Sequence, residues 1–367
     1  MGQGQLHKDQ GVVIAPRLLR KPFGSYPLVK IHPEVYSWCR AAKQGGTMTG
    51  SHTKPLAGGA RPFGTTQLKV SALGYGAMEL SGPPRARDLA ESQVIQFIHA
   101  LSDHGINYID TSIDYGLSES LIGKALVDRR SSYILASKCA CQAGLAIGDH
   151  GESHIYTAQN VIAGVEQSLK RLRTDYLDVV QVHGNPTRRE LEDGGVIDAL
   201  QSLHTRGLVR YFGLSSRLPL LAEFVEVDSF SVFQVPYSAL QRTNEAIIQT
   251  LKNKGKAIVA RGVTGRGAPS KGWATRPIGT AQGEVQALWE KAGLDDLIED
   301  MEPIEFMIRF ALTNPDLSVA LVATTNLAHL KANIASAAKG PLPPQLYNAV
   351  CARLNAAGGG PGEGVYK

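Results

Sequence analysis

The chain has 367 residues, 43% of them apolar and 19% charged, enough to bury a large core in the manner of a globular α/β protein. Its net charge of +5 is concentrated in residues 1–62, where nine Lys or Arg face only Asp9 and Glu34; the remainder holds 29 basic against 31 acidic residues. A body without net positive charge or aromatic-basic interleaving argues against nucleic acid, and the absence of a run of about 20 apolar residues argues against a membrane span.

The four cysteines, Cys39, Cys139, Cys141 and Cys351, form no Cys-x-x-Cys pair and have no His at zinc-finger spacing. Reduced thiols in a cytoplasmic protein, with no metal site, are therefore expected. The first 60 residues lack any sustained period of 2 or 3.6, and residues 1–62 are read as a low-order basic extension. An organellar address and a start codon displaced to Met48 remain open for this segment.

From Leu68 onward, short apolar runs alternate with helical stretches. Eight strands are expected at Ala72–Gly76, Ile106–Ile109, Tyr133–Ser137, Leu177–Val182, Val209–Leu214, Ser231–Phe233, Ala257–Ala260 and Ser318–Val322. Between them Val94, Phe97, Ile98 and Leu101 follow i, i+3, i+4, i+7, and Val161, Val165, Leu169 and Leu172 keep one helical face. Eight strand-helix units predict a closed parallel (β/α)8 TIM barrel over residues 63–357, with 358–367 as a flexible tail. A doubly wound open sheet is the alternative, weakened because no Gly-x-Gly-x-x-Gly joins a first strand to a helix. Two Gly-rich stretches, 142–156 and 262–294, are expected as long loops over the C-terminal mouth.

Polar residues follow the apolar runs: Asp110, Lys138, His183, Ser215, Gln234 and Arg261. In a barrel these tips converge on the face where barrel enzymes place their chemistry. Tyr115 stands one loop beyond Asp110. A phenol titrates near about pH 10 and needs a cation to acidify it, a role open to Lys138 with Asp110 holding the ammonium. His183 would donate to a carbonyl oxygen, so the set suits carbonyl reduction with Tyr115 as proton donor.

These residues resemble the aldo-keto reductase superfamily. The resemblance rests on Asp110-Thr111-Ser112-Ile113-Asp114-Tyr115-Gly116-Leu117-Ser118-Glu119, on Leu73-Gly74-Tyr75-Gly76, and on Tyr176-Leu177-Asp178 leading to His183. Gly207-Leu208-Val209-Arg210-Tyr211-Phe212-Gly213-Leu214-Ser215 and Gln234-Val235-Pro236-Tyr237-Ser238 continue it. It implies a catalytic tetrad of Asp110, Tyr115, Lys138 and His183 and a nicotinamide held in the barrel mouth by Ser215, Ser216 and Gln234. Gly76, Ala77 and Met78 would approach the cofactor through backbone.

Two departures stand out: Ser216 replaces the family's usual Asn, and Arg261 replaces a stacking aromatic. Gly265, Arg266 and Gly267 resemble the loop over the pyrophosphate. Thr324 and Asn333 fall in the family's adenosine-binding turn and helix. Ala323 and His329 stand where basic residues often grip a 2′-phosphate, leaving Lys331 as the nearby cation. NADP(H) is favoured on family habit, with NAD(H) possible. The expected partner is a small carbonyl substrate, an aldehyde, ketone or sugar, and the sequence does not choose between monomer and homo-oligomer. Two other readings are kept: an NADPH-binding redox-sensing subunit of the same fold, and a lyase or aldolase using Lys138 as a Schiff-base nucleophile.

Overall fold

A computed structural model describes residues 55–151, 153–265 and 282–362. Ten strands run in chain order: β1 (Ala60–Pro62), β2 (Lys69–Ser71), β3 (Leu73–Gly76), β4 (Tyr108–Asp110), β5 (Ile134–Cys139), β6 (Leu177–His183), β7 (Val209–Ser215), β8 (Val232–Pro236), β9 (Ala257–Arg261) and β10 (Val319–Val322). β3 to β10 close into an eight-stranded barrel in which every neighbouring pair is parallel. The closed barrel excludes the open doubly wound sheet.

The helices among the described residues are α1 (Glu91–Asp103), α2 (Ser118–Ala125), α3 (Ala158–Leu172), α4 (Arg188–Asp193), α5 (Val196–Thr205), α6 (Glu245–Asn253), α7 (Gln282–Lys291), α8 (Leu294–Ile298), α9 (Pro303–Thr313), α10 (Leu327–Ala338) and α11 (Pro344–Ala357). The amphipathic pattern of α1 buries Val94, Phe97, Ile98 and Leu101. In α3 the same logic buries Val161, Val165 and Leu172, with Thr157 capping the start through its side chain and Arg173 ending the helix in the left-handed region. α7 and the start of α8 fall inside the stretch 262–294 expected as loop; Val285, Leu288 and Trp289 bury an apolar stripe there, which the neighbouring glycines obscured.

The barrel's inward face follows from the period of two along each strand. Tyr108, Ile134, Ala136, Val179, Val232, Ala257, Val259, Val319 and Leu321 pack together as an interior cluster. One step further along the same strands come Asp110, Lys138, Gln234 and Arg261, and His183 and Ser215 end theirs. The strands therefore extend through these polar residues instead of ending before them, and ladder pairing sets Ser215 opposite both His183 and Gln234.

The antiparallel hairpin of β1 and β2 begins ahead of residue 63 and contributes Phe63 and Val70, both fully buried, to the interior cluster. On β7, Gly213 lies so close to β8 that a Cβ would sit 1.7 Å from the Val232 carbonyl oxygen. Only glycine fits that approach.

Near the strand starts, Asp178 accepts from Arg130 Nη2 at 2.8 Å, from Arg210 Nη1 at 3.0 Å and from the Leu135 amide at 3.0 Å. Both guanidinium groups lie over the Tyr176 ring, at 4.3 and 5.5 Å. The Tyr176-Leu177-Asp178 element thus ties β5, β6 and β7 together.

Candidate active site at the barrel mouth

The segment after β4 carries Tyr115, and cations clamp its backbone carbonyls. Lys138 Nζ donates to Thr111 O at 3.0 Å, Arg171 Nη1 to Ile113 O at 2.8 Å and Arg85 Nη1 to Asp114 O at 3.3 Å. Gly116 follows with φ +44°, and a Cβ there would strike Ser81 O at 2.3 Å, so the Tyr-Gly pair is required by the turn. Ser118 Oγ donates to Ala77 O at 3.0 Å, which fixes the strand exit that includes Gly76, Ala77 and Met78. Ala77 is buried and Met78 is 37% exposed.

Lys138, fully buried, donates to Asp110 Oδ1 at 2.5 Å. Gln234 Nε2 donates to the same oxygen at 2.8 Å, and Ser215 Oγ donates to Gln234 Oε1 at 2.9 Å. The lysine nitrogen is thus engaged by Asp110 and by Thr111 O. The rings of Tyr115 and His183 meet edge to face with centroids 6.4 Å apart. Asp110, Lys138, Tyr115, His183, Ser215 and Gln234 are thus gathered at one end of the barrel.

Electrostatics set the protonation of the two rings. Burial, then Asp110 and Asp114, push the Tyr115 phenol above its ordinary value, while Arg261 pulls the other way. The acidification expected of Lys138 from the residue types is outweighed by burial and the two carboxylates. Burial also holds His183 well below the usual imidazole range; Lys138, His154 and Arg261 add to this and Asp114 opposes it. At neutral pH Tyr115 is a phenol and His183 a neutral imidazole.

A cleft beside these rings is lined by His183, Gly184, Asn185, Ser215, Arg217 and Arg261. Ser216 Oγ donates to Asn185 Oδ1 at 2.9 Å, and the Arg217 amide donates to the same oxygen at 3.2 Å. A carboxamide from the loop after β6 therefore lies beside the position where Ser216 replaces an Asn. The substitution at Ser216 was the only hint of it in the sequence.

The stretch 142–156 does fold over the mouth. Cys141 and His154 form an isolated bridge, and the His154 ring lies 5.0 Å from that of His183. Cys141 Sγ lies 3.2 Å from His183 Nδ1. Cys139 and Cys141 are buried, and burial pushes the Cys139 thiol up to about 12. Neither His154 nor Cys141 was marked by sequence spacing, because the loop that joins them has no regular period.

The remaining positions expected to meet a nucleotide are spread around the rim. Gly265 is buried with φ +55°, and Arg266 lies outside the described residues. Thr324 Oγ1 accepts from the Asn326 amide at 3.1 Å, and Asn326 Oδ1 accepts from the Ala328 amide at 2.8 Å, capping α10. On α10 Lys331 is exposed and Asn333 is 7% exposed. Hydroxyl, carboxamide and ammonium groups at the strand ends, with a capped helix start at the rim, form a donor set that fits a nicotinamide nucleotide.

Residues 72–353 match the model of the Aldo/keto reductase family. The chain belongs to this family. It is 28% identical over 309 residues to the L-galactose dehydrogenase of Arabidopsis thaliana, covering 75% of this chain and 87% of that protein. It is 26% identical over 293 residues to the oxidoreductase YqkF of Bacillus subtilis, covering 76% and 90%. Among solved structures, an aldo-keto reductase from Bacillus halodurans in its holo form superimposes with a TM-score of 0.68 at 28% identity, covering 80% of this chain and 95% of that one. The aldo/keto reductase assignment makes the chain an oxidoreductase on a (β/α)8 barrel. No helix among the described residues is long and apolar enough to cross a membrane.

Proposed function

We propose that this aldo/keto reductase reduces a small carbonyl compound with a nicotinamide nucleotide, Tyr115 serving as general acid. The observation that carries the reading is the edge-to-face meeting of Tyr115 and His183 beside the buried Lys138–Asp110 pair, with both rings in the protonation state reduction needs. When bound, the nucleotide supplies hydride to the carbonyl carbon. Ser215, Ser216, Gln234 and Asn185 would hold its carboxamide, and Gly76, Ala77, Met78, Arg261, Gly265, Arg266, Thr324, Lys331 and Asn333 the rest.

The neutral His183 donates one N–H to the carbonyl oxygen and polarises it without adding a charge that would compete with Lys138. Tyr115 retains its proton throughout the neutral range and gives it up only to an oxygen that has become alkoxide-like. Lys138, fixed by Asp110 and by Thr111 O, places positive charge behind the phenol as that proton leaves. Polar lining by Asn185, Arg217 and Arg261 favours a hydroxylated carbonyl compound, such as a sugar, over an apolar one. The L-galactose dehydrogenase relative is in keeping with this. NADP(H) is the favoured nucleotide, with the exposed Lys331 on α10 assigned to the expected 2′-phosphate.

Tyr115→Phe tests the assignment by removing one oxygen and leaving the ring. Turnover of a reducible aldehyde should fall by about 10²- to 10⁴-fold with the NADPH dissociation constant nearly unchanged. A variant that keeps more than about a third of the turnover, instead of that loss, would return the chain to a nucleotide-sensing role.

A further inference from the structure

Beside the proton-transfer residues the mouth collects a second set of side chains with a different chemistry. Cys141 leaves the end of β5, His183 ends β6, and the intervening loop brings His154 back to both. That return is held by the Ile155 amide on Ala140 O at 2.7 Å and the Gln142 amide on Ser153 O at 3.2 Å. Asn160 Nδ2 reinforces it, donating to Cys141 O and Ile155 O at 3.0 Å each. One ligand atom from each of Cys141, His154 and His183 lies within 4.8 Å of the other two.

We infer that Cys141, His154 and His183 form a binding site for a zinc-class divalent cation. One sulfur and two imidazole nitrogens suit a borderline-soft first-row ion, whereas magnesium or calcium would require oxygen ligands. In a tetrahedral zinc site, bonds of about 2.3 Å to sulfur and about 2.0 Å to nitrogen place ligand atoms about 3.3–3.7 Å apart. The separation of Cys141 Sγ from His183 Nδ1, 3.2 Å, is close to that range, and the His154 ligand atom lies within 4.8 Å of both. Asp114 Oδ1, 3.8 Å from the same His183 nitrogen, brings negative charge to the near side.

The supporting contacts orient the ligands. The Tyr156 ring stacks on His154 at 6.2 Å with an interplanar angle of 10°, and its hydroxyl donates to His183 O at 3.2 Å. On coordination the Cys141 thiol releases its proton to solvent and the thiolate stays on the ion. An ion on Nδ1 fixes the proton of His183 on Nε2 and staples the 142–156 loop to two barrel strands. Binding itself requires no hydride chemistry, so its outcome is independent of the Tyr115 assignment.

The test is titration of the reduced full-length chain with Co²⁺ alone, followed in the near ultraviolet for thiolate-to-cobalt charge transfer, then displacement by Zn²⁺. One equivalent giving that band is expected. Cys141→Ser should abolish it, and His154→Ala should weaken binding by at least about tenfold, with circular dichroism confirming that both variants are folded. Absence of the band overturns the inference. So does a band that survives Cys141→Ser, since it would arise from another thiol, or an affinity unmoved by His154→Ala.

Discussion

Lys138 Nζ meets Asp110 Oδ1 at 2.5 Å with no solvent exposure on the lysine side chain and 6% on the aspartate, and Gln234 donates to the same oxygen. Each charge is desolvated and compensated by the other. Removing one leaves its partner buried and unpaired, a loss of about 3–5 kcal/mol in comparable pairs. Lys138→Met is therefore expected to lower unfolding free energy by that order and to slow reduction. Adding Asp110→Asn should recover part of the stability and none of the turnover. Urea unfolding of both single variants and the double variant gives the coupling directly.

Asn185, which accepts from Ser216 Oγ, is expected to help hold the nicotinamide carboxamide. Asn185→Ala should weaken nucleotide binding about tenfold, the scale of one lost hydrogen bond of about 1.4 kcal/mol. Ser216→Asn in that background should restore part of the affinity. Fluorescence titration distinguishes this from a surface role, in which neither substitution moves the dissociation constant.

Lys331 is exposed on α10, as a phosphate-facing lysine must be before ligand arrives. Lys331→Ala should cost NADPH at least about tenfold in affinity, as expected for a hydrogen bond to a charged group, and NADH much less. Equal losses for the two nucleotides would remove Lys331 from the 2′-phosphate.

For His183 the folded-state pKa lies below the unfolded value of about 6.5. As pH falls through that value the unfolded chain takes up a proton that the folded chain refuses, so this stabilising contribution, complete above it, is lost towards the folded pKa. Thermal midpoints should decline from about pH 6.5 downward, and His183→Gln should flatten the slope just below that value. An unchanged slope in the variant would show that other groups set it.

At the opposite end of the barrel, Asp178→Ala strips two guanidinium groups and one backbone amide of their acceptor. A loss of about 3 kcal/mol is expected, with nucleotide affinity unchanged. Paired denaturation and binding measurements check it.

How much of this was legible in the sequence depended on backbone regularity. The eight barrel strands and the convergence of Asp110, Lys138, His183, Ser215 and Gln234 followed from apolar runs ending in polar residues. Strand ends were read short because a polar side chain breaks the hydrophobic pattern while the ladder continues beneath it, as at His183 and Ser215. The hairpin of β1 and β2 was missed because three-residue strands carry too little periodicity. Asn185 and His154 were not marked in the sequence for another reason: loops bring them to the mouth, and loop paths are decided by tertiary contacts that no local pattern encodes. The direction of the Tyr115 shift was misjudged because residue types name the nearby charges but not the burial that raises the phenol most.

Gly213 carries no side chain to touch a ligand, yet the distance between β7 and β8 is set by its lack of one. Two residues further on, the same pair of strands carries Ser215 opposite Gln234. A methyl group at position 213 would act as a wedge, prying the strands apart and tilting those two side chains away from each other. Some determinants of the geometry of this barrel's mouth are therefore spacers lodged inside the wall, where a survey of the mouth's side chains would never look.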